Sequence, residues 1–312
     1  MKKSAVIILA ILMAAISLAG CGGTPQAEPA ATQPAAQQET QEQASTPQEP
    51  TVPDASITVV SREEGSGTRG AFIELLGIEQ KDADGNTVDY TTVDAEIGSG
   101  QSVILTLVSN NPNAIGYVSL GALNETVRAI EIDDVDATVD NIKNGSYKVA
   151  RPFNIAVKDG VSEAAQAFID FIMSAEGQAI VENNKYISAE SGAPFAGSTV
   201  KGKVVVSGST SVAPLMEKLA EAYQAINPNA EIEVHHLGST AGMTNTIEGV
   251  CDIGMASREL KDSEKEAGLN PVVIALDGIA VIVHKTNGIK NLTMDQVRAI
   301  YMGELTHWSE TK

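Results

Sequence analysis

From Ile57 onward, short apolar runs alternate with longer stretches in which apolar residues recur at helical spacing. The first pattern predicts strands, and the second predicts helices packed by one face. Ile57 to Val60 reads as a strand and Thr68 to Leu76 as the helix that follows it. Ala114 to Leu120 and Phe153 to Val157 read as further strands. Beyond Ser162, the spacing of Ala165, Phe168, Ile169, Ile172 and Ile180 predicts one long helix reaching about Glu182. Val204 to Val206 leads into a helix over Val212 to Ile226, and Ile232 to His235 into one over Met243 to Gly249. Asp252 to Ala256 and Val272 to His284 add strand-like runs, and Met294 to Tyr301 a last short helix. Such alternation predicts an α/β architecture with largely parallel sheets. Ligands of these sheets sit beyond the carboxyl ends of the strands.

Three of the strand-to-helix junctions share one chemistry. Arg62-Glu63-Glu64-Gly65-Ser66-Gly67-Thr68-Arg69 leaves the first strand, and Ser207-Gly208-Ser209-Thr210-Ser211 follows Lys203 to Val206. Gly238-Ser239-Thr240-Ala241-Gly242 follows Glu231 to His236. A loop of Gly and hydroxyl residues at a helix N-terminus aims several N–H groups at one point, which is an anion site. Plain turns do not need Ser or Thr at the first helical positions, so the repetition points to a bound oxyanion. The formal charge of -19 argues against nucleic acid as a partner. It does not argue against a buried oxyanion, which local N–H and O–H dipoles and one Arg hold whatever the sign of the distant surface.

Lys2 and Lys3, the apolar run Ala5 to Ala19, and Leu18-Ala19-Gly20-Cys21 read as a targeting segment over residues 1–21. The final tetrad resembles a bacterial lipobox, in which Cys21 becomes the lipid-bearing N-terminus. The apolar run falls short of the roughly 20 residues that span a bilayer. Residues 22–54, rich in Pro, Ala, Gln, Glu and Thr, lack the apolar surface to fold and read as a disordered tether. Residues 188–202 are small and turn-prone and read as a surface connection. The chain has 2 Cys. With one of them the lipid site, no intrachain disulfide is available, and Cys251 reads as a small buried apolar residue.

Ser61 to Arg69, Ser207 to Ser211, Asp252-Ile253-Gly254-Met255-Ala256-Ser257-Arg258 and Asn113-Ala114-Ile115-Gly116-Tyr117-Val118 carry a family resemblance. In these segments the chain resembles the phosphate-binding lipoproteins of bacterial ABC transporters, within the type II periplasmic binding protein class. The resemblance covers nearly everything from Ile57 to Glu310, in an unusual order. The Gly-Ser-Gly-Thr segment, which lies mid-chain in the usual member, here precedes the Ser-Gly-Ser-Thr-Ser segment, which usually lies near the mature N-terminus. The resemblance therefore implies a two-lobed α/β fold of type II, circularly permuted, opened after Trp308-Ser309-Glu310 and closed through residues 188–202. Cuts in exposed loops are tolerated and domain termini often lie close together, so such an order is physically reasonable. The implied lobes are residues 55–126 with 281–312, split in sequence, and residues 127–280, continuous. Hinge crossings are expected near Thr126 and Ala280.

Carried over residue by residue, the resemblance implies ligand contacts from Arg62, Ser66, Gly67 and Thr68 on the split lobe. Thr210, Ser211, Ser239, Thr240 and Ser257 would face them from the continuous lobe. Arg62 offers a planar donor fork suited to two oxygens of one phosphate. For Ser211 and Thr240 the competing role is plain helix capping. The usual member places an Asp after Asp-x-Gly, where it accepts the proton of hydrogen phosphate; Met255-Ala256-Ser257-Arg258 holds no carboxylate there. Asp277, in Leu276-Asp277-Gly278, is the substitute acceptor on offer. Without an acceptor the seat loses its means of rejecting fully deprotonated sulfate. The resemblance further implies inorganic phosphate as ligand, ABC permease and ATPase subunits as partners, and a lipid-anchored monomer on the extracytoplasmic face of the cell membrane. It implies no catalysis, no cofactor and no metal.

Other signals lead elsewhere. Asp82, Asp84, Asn86 and Asp89 begin like a calcium loop, but Thr87 stands where Gly belongs and Val93 where Glu belongs, so a polar turn is expected. His235 and His236, adjacent on a strand, point to opposite faces and cannot share a metal. No Gly-x-Ser-x-Gly elbow is present and no Walker Lys follows the glycine loops. The alternative functions are a phosphate-ester hydrolase, whose donors would steady a transition state, and a sensory or structural lipoprotein that has lost its ligand.

Overall fold

The computed structural model describes residues 51–311 apart from Pro53, Glu190 and Ser191. The targeting segment with Cys21, and the tether as far as residue 50, lie outside the described residues. Among the described residues no helix is long and apolar enough to cross a membrane.

β1 (Thr58–Arg62) runs parallel to both β4 (Glu96–Gly98) and β5 (Ala114–Ser119). Both faces of β1 and β5 are covered, which is why they read as continuous apolar runs rather than alternating ones. Helices α1 (Gly67–Leu75) and α2 (Gln101–Asn110) make the crossovers. The hairpin of β2 (Glu79–Lys81) and β3 (Thr87–Asp89) carries the acidic turn. There the Asp82 carboxylate accepts from the N–H groups of Asp84 and Asn86.

The second half is built the same way. β10 (Gly202–Gly208) is parallel to β11 (Ala230–His236) and β12 (Ile253–Ala256), with α6 (Ala213–Ile226) and α7 (Ser239–Ile247) between them. β8 (Ala150–Val157) lies antiparallel beside β12, followed by α4 (Glu163–Ile172), α5 (Ala175–Asn183) and the short β9 (Ile187–Ser188). α8 (Asp262–Glu266) leads into β13 (Asn270–His284).

β13 unites the halves. The sheet order is β11-β10-β12-β8-β13-β5-β1-β4. Residues 270–278 of β13 pair with β8, and residues 279–283 with β5, both antiparallel. The sheet is thus parallel on its flanks and antiparallel at its centre, where a largely parallel sheet was expected. The centre differs because β13 runs against both of its neighbours, β8 on one half and β5 on the other.

Two further expectations give way to local chemistry. Residues 127–149, expected in the continuous lobe, pack with the first half. β6 (Val127–Ala129) lines the second edge of β13 through Ile282 opposite Ala129, covering an edge otherwise open to pairing. β7 (Glu131–Ile132) pairs with β14 (Asn291–Leu292), and α3 (Val139–Lys143) follows. Ile130, Ile142 and Tyr147 then join Val59, Phe72 and Tyr117 in one core, together with Tyr301 of α9 (Met294–Tyr301). The chain therefore crosses between halves at about Val149 rather than near Thr126, and at Gly278–Ile279, close to the Ala280 crossing expected. The single helix expected over Ser162 to Glu182 breaks in two because Ser174 caps a new one, its Oγ accepting from Gly177 N at 3.2 Å. At Gly177 a Cβ would stand 2.2 Å from Phe171 O, so the chain doubles back on itself there.

Phe153, Phe168, Phe171, Leu219 and Tyr223 fill the core of the second half. In the first half Phe72 stacks on Tyr117 with ring centroids 3.9 Å apart. Ile57 N donates to Thr306 O at 2.7 Å and Trp308 N to Ala55 O at 3.1 Å, so residues 55–57 and 306–308 lie side by side.

Candidate anion site

β1, β4, β10 and β11 each run straight into the N-terminus of a helix, α1, α2, α6 and α7 respectively. The first N–H groups of a helix have no intrahelical acceptor and carry its positive dipole end. The loops are packed tightly. A Cβ on Gly208 would lie 2.3 Å from Met255 O, and one on Gly67 would lie 2.1 Å from Ser239 Oγ and 2.7 Å from Ser257 Oγ. Absence of a side chain at Gly67 is what lets the backbone of one half touch the hydroxyls of the other.

Arg62 is the charged centre, 1% exposed at the end of β1. Tyr117 Oη accepts from Arg62 N at 3.2 Å and lies 2.9 Å from Ser61 Oγ, which fixes the strand end. The guanidinium donates to both carboxylate oxygens of Glu63 at 2.7 Å and, from Nη2, to Thr210 Oγ1 of the other half at 2.9 Å. Burial pushes the Glu63 carboxyl up, but the hydrogen bond and charge of Arg62 outweigh it and hold the group below its ordinary range.

Around Arg62 the hydroxyls interlock. Thr68 Oγ1 lies 2.7 Å from Ser211 Oγ across the cleft, and Gln101 Nε2 donates to both. Ser209 Oγ donates to Ser257 Oγ at 2.8 Å, and Ser257 N to Ser239 Oγ at 3.2 Å. Ser66 caps α1, its Oγ accepting from Arg69 N at 3.3 Å. A cleft of ≈ 470 Å³ opens beside Thr210 and Ser211, walled by Gln101, Leu105, Tyr186 and His236.

Two expected residues stand apart. Thr240 is exposed, and its N–H is spent on Gly65 O at 3.2 Å, linking the halves on the outer side of the seat. Asp277 is buried behind the seat and paired with Arg151, whose Nη2 donates to Asp277 Oδ2 at 3.0 Å and whose Nη1 donates to Ser257 O at 2.9 Å. Burial raises the Asp277 carboxyl against the opposing pull of Arg151, and it lowers the Arg151 guanidinium. Arg258, standing where the usual acceptor would be, turns away and forks onto Glu264 at 2.7 and 2.9 Å.

Sequence reasoning did not single out Gln101, Ser209 or Arg151. Ser209 lay inside a quoted motif. Gln101 follows Gly98-Ser99-Gly100, a fourth small-residue junction that the same logic would have found. Arg151 meets Asp277 across 126 positions and leaves no local signal.

The chain matches the model of the PBP superfamily domain over residues 31–176 and 193–312. Phosphate-binding protein PstS 2 of Streptococcus agalactiae is 50% identical over 256 residues, 82% of this chain and 87% of that protein. The chain belongs to the PBP superfamily, among the PstS proteins. The crystal structure of a phosphate ABC transporter phosphate-binding protein from Streptococcus pneumoniae, 45% identical, covers 83% of this chain and all of its own, with a TM-score of 0.68. The match to the phosphate-binding protein PstS of Staphylococcus haemolyticus is shorter, 38% identity over 118 residues, 36% of this chain and 37% of that protein.

Proposed function

We propose that the chain is the extracytoplasmic receptor of an ABC importer, closing the two halves of its sheet on inorganic phosphate and passing it to permease and ATPase subunits supplied by other chains. One observation carries this reading: Arg62, buried and always charged, sits among hydroxyls from both halves at the ends of four helices. The printed names of the PstS relatives supply the ligand and the transporter class. The seat is a binder rather than a hydrolase. A serine nucleophile needs an adjacent base. Among the described residues, the hydroxyls of the seat bond to other hydroxyls, to N–H groups, to Arg62 and to Gln101. In this reading Cys21 carries lipid, residues 22–54 tether the receptor to the membrane face, and the receptor works as a monomer. Calorimetric titration of the full chain with inorganic phosphate should give a saturable single-site isotherm; absence of heat with phosphate, sulfate, arsenate and molybdate alike would overturn the reading.

We further propose that the chain is circularly permuted relative to PstS proteins such as that of Staphylococcus haemolyticus. In support, the match to that protein stops at about a third of each chain, whereas PstS 2 of Streptococcus agalactiae matches over most of its length. Residues 55–57 also lie against residues 306–308, as a relocated cut requires. A chain rejoined from Glu310 to Ala55 and reopened within residues 188–202 should fold and bind phosphate. Its failure to fold would count against the permutation.

A further inference from the structure

Arg69 closes the motif that follows β1, yet its guanidinium turns away from the hydroxyls of the seat. It lies in the first turn of α1, where the positive end of the helix dipole suits an acid better than a cation. α1 has no acid in that turn. Rather than the cleft beside Thr210 and Ser211, Arg69 lines a second cleft of ≈ 340 Å³ on the outer side, with Ser66, Asp89, Thr240 and Arg258.

Two bonds account for this placement. Arg69 Nε donates to Asp89 Oδ2 at 2.8 Å, and Nη1 donates to the backbone oxygen of Arg62 at 2.8 Å. β1 pairs with β5 only through Thr58 and Val59, so the backbone polar groups at its far end need other partners. Side chains supply them: Tyr117 Oη accepts from Arg62 N at 3.2 Å, and Arg69 donates to Arg62 O. The peptide groups on either side of the Arg62 Cα are each gripped by one side chain. Between these two grips the Arg62 side chain leaves for the seat, where it reaches Thr68 and Thr210. Any tilt of the strand end is carried along that long side chain to its guanidinium.

Asp89 is itself held still. Its Oδ1 accepts from Thr91 N at 2.8 Å and from Thr91 Oγ1 at 2.6 Å, which leaves Oδ2 for Arg69. Burial pushes the carboxyl up, but the Thr91 bonds and Arg69 outweigh it and keep the group below its ordinary range. Asp89 ends the hairpin of β2 and β3, which buries little, β2 being exposed throughout. Packing gives that hairpin no evident purpose. Carrying an anchored carboxylate to the first turn of α1 does.

We propose that Arg69 is the positioning residue for Arg62: anchored by Asp89, it clamps the Arg62 carbonyl and sets the angle at which the Arg62 guanidinium enters the seat. The proposal rests on the phosphate-receptor reading, in which Arg62 is the charged centre, and adds the support behind that centre. Binding groups need such support, because a donor whose backbone drifts loses the geometry that makes it strong. Lysine cannot fill the role, since one ammonium does not span Asp89 and Arg62 O as the planar fork does.

The test is calorimetric titration of the full chain with inorganic phosphate, beside thermal melts and NMR of protein labelled at the arginine nitrogens. Arg69→Met should weaken phosphate binding about tenfold or more, with the melting temperature of the ligand-free protein held within a few degrees. Arg69→Lys should stay at least about fivefold weaker than wild type. Asp89→Asn should weaken binding by about two- to fivefold. Combined with Arg69→Met it should add nothing further, because Asp89 acts through Arg69. In the ligand-free protein the Arg62 Nε–H signal, assigned by its loss in Arg62→Lys, should shift or broaden in Arg69→Met. Full affinity in Arg69→Lys would make charge alone the cause, and losses that multiply in the double variant would make Asp89 and Arg69 independent. An affinity loss matched by a collapse of the melting temperature would make Arg69 merely structural. Any of these, an Arg69→Met affinity within about a factor of two of wild type, or an unmoved Arg62 signal would overturn the inference and leave the receptor reading standing. Failure of wild type to bind any oxyanion would overturn both.

Discussion

Thr68 Oγ1 and Ser211 Oγ meet at 2.7 Å although they stand 143 positions apart and belong to opposite halves of the sheet. Both residues are buried. The groups that would grip a ligand are thus the same groups that hold the halves together, and substitutions there should act on binding and closure at once.

Arg62→Ala should weaken phosphate binding by about 2 to 4 kcal/mol, as when one partner of a buried charge-assisted contact is lost. Arg62→Lys should recover only part, because the ammonium cannot reproduce the fork that reaches Glu63 and Thr210 together. Calorimetry decides it, and an Arg62→Ala affinity within about a factor of two of wild type would remove Arg62 from the seat.

Gly67→Ala separates folding from closure. The new methyl would fall 2.1 Å from Ser239 Oγ, yet Gly67 lies in α1, where alanine is a good residue. The melting temperature of the ligand-free protein should hold within a few degrees, while phosphate affinity drops at least about tenfold, or ~1.4 kcal/mol. Calorimetry and thermal melts on the same preparation give both numbers.

Arg151→Met should cost about 3 to 5 kcal/mol of stability by leaving Asp277 buried and unpaired. The double variant Arg151→Met with Asp277→Leu should regain most of it, since a buried ion pair is often replaceable by apolar residues of similar volume. Denaturant melts of the three proteins test this.

Acid should loosen the fold through Glu63 and Glu264. Burial raises both carboxyls, but Arg62 and Arg258 outweigh it and hold each below the ordinary 4.5. A depressed folded value means stability that is present above the unfolded value and lost as pH falls through the folded one. The melting temperature should therefore decline as pH drops below about 4.5, and Glu63→Gln with Glu264→Gln should flatten that decline. A wild-type midpoint that does not move over this range would contradict it.

The three hydroxyl-rich junctions were legible because their chemistry is local: a strand end, a Gly and a run of Ser and Thr carry the whole signal. Arg62, Gly67, Thr68, Thr210, Ser211, Ser239 and Ser257 do come together in space. Thr240 shared that local signal but faces outward, since helical periodicity places one residue in from its neighbour on a different face. What escaped depends on distant pairing. Residues 127–149 follow the second edge of β13, and Arg151 follows Asp277, and neither preference is written near the residues themselves. The break at Ser174 was readable in principle, but the apolar repeat through Ile172 and Ile180 outweighed a single capping residue.

Because Asn270–His284 is one uninterrupted strand serving both halves, they cannot swing apart on slack tether-like joints. Parting them means wringing a hydrogen-bonded ribbon about its long axis, a deformation that pleated strands accommodate by changing their twist. Such a ribbon acts as a torsion spring. Opening the cleft would wind that spring, and its relaxation would draw the halves back together.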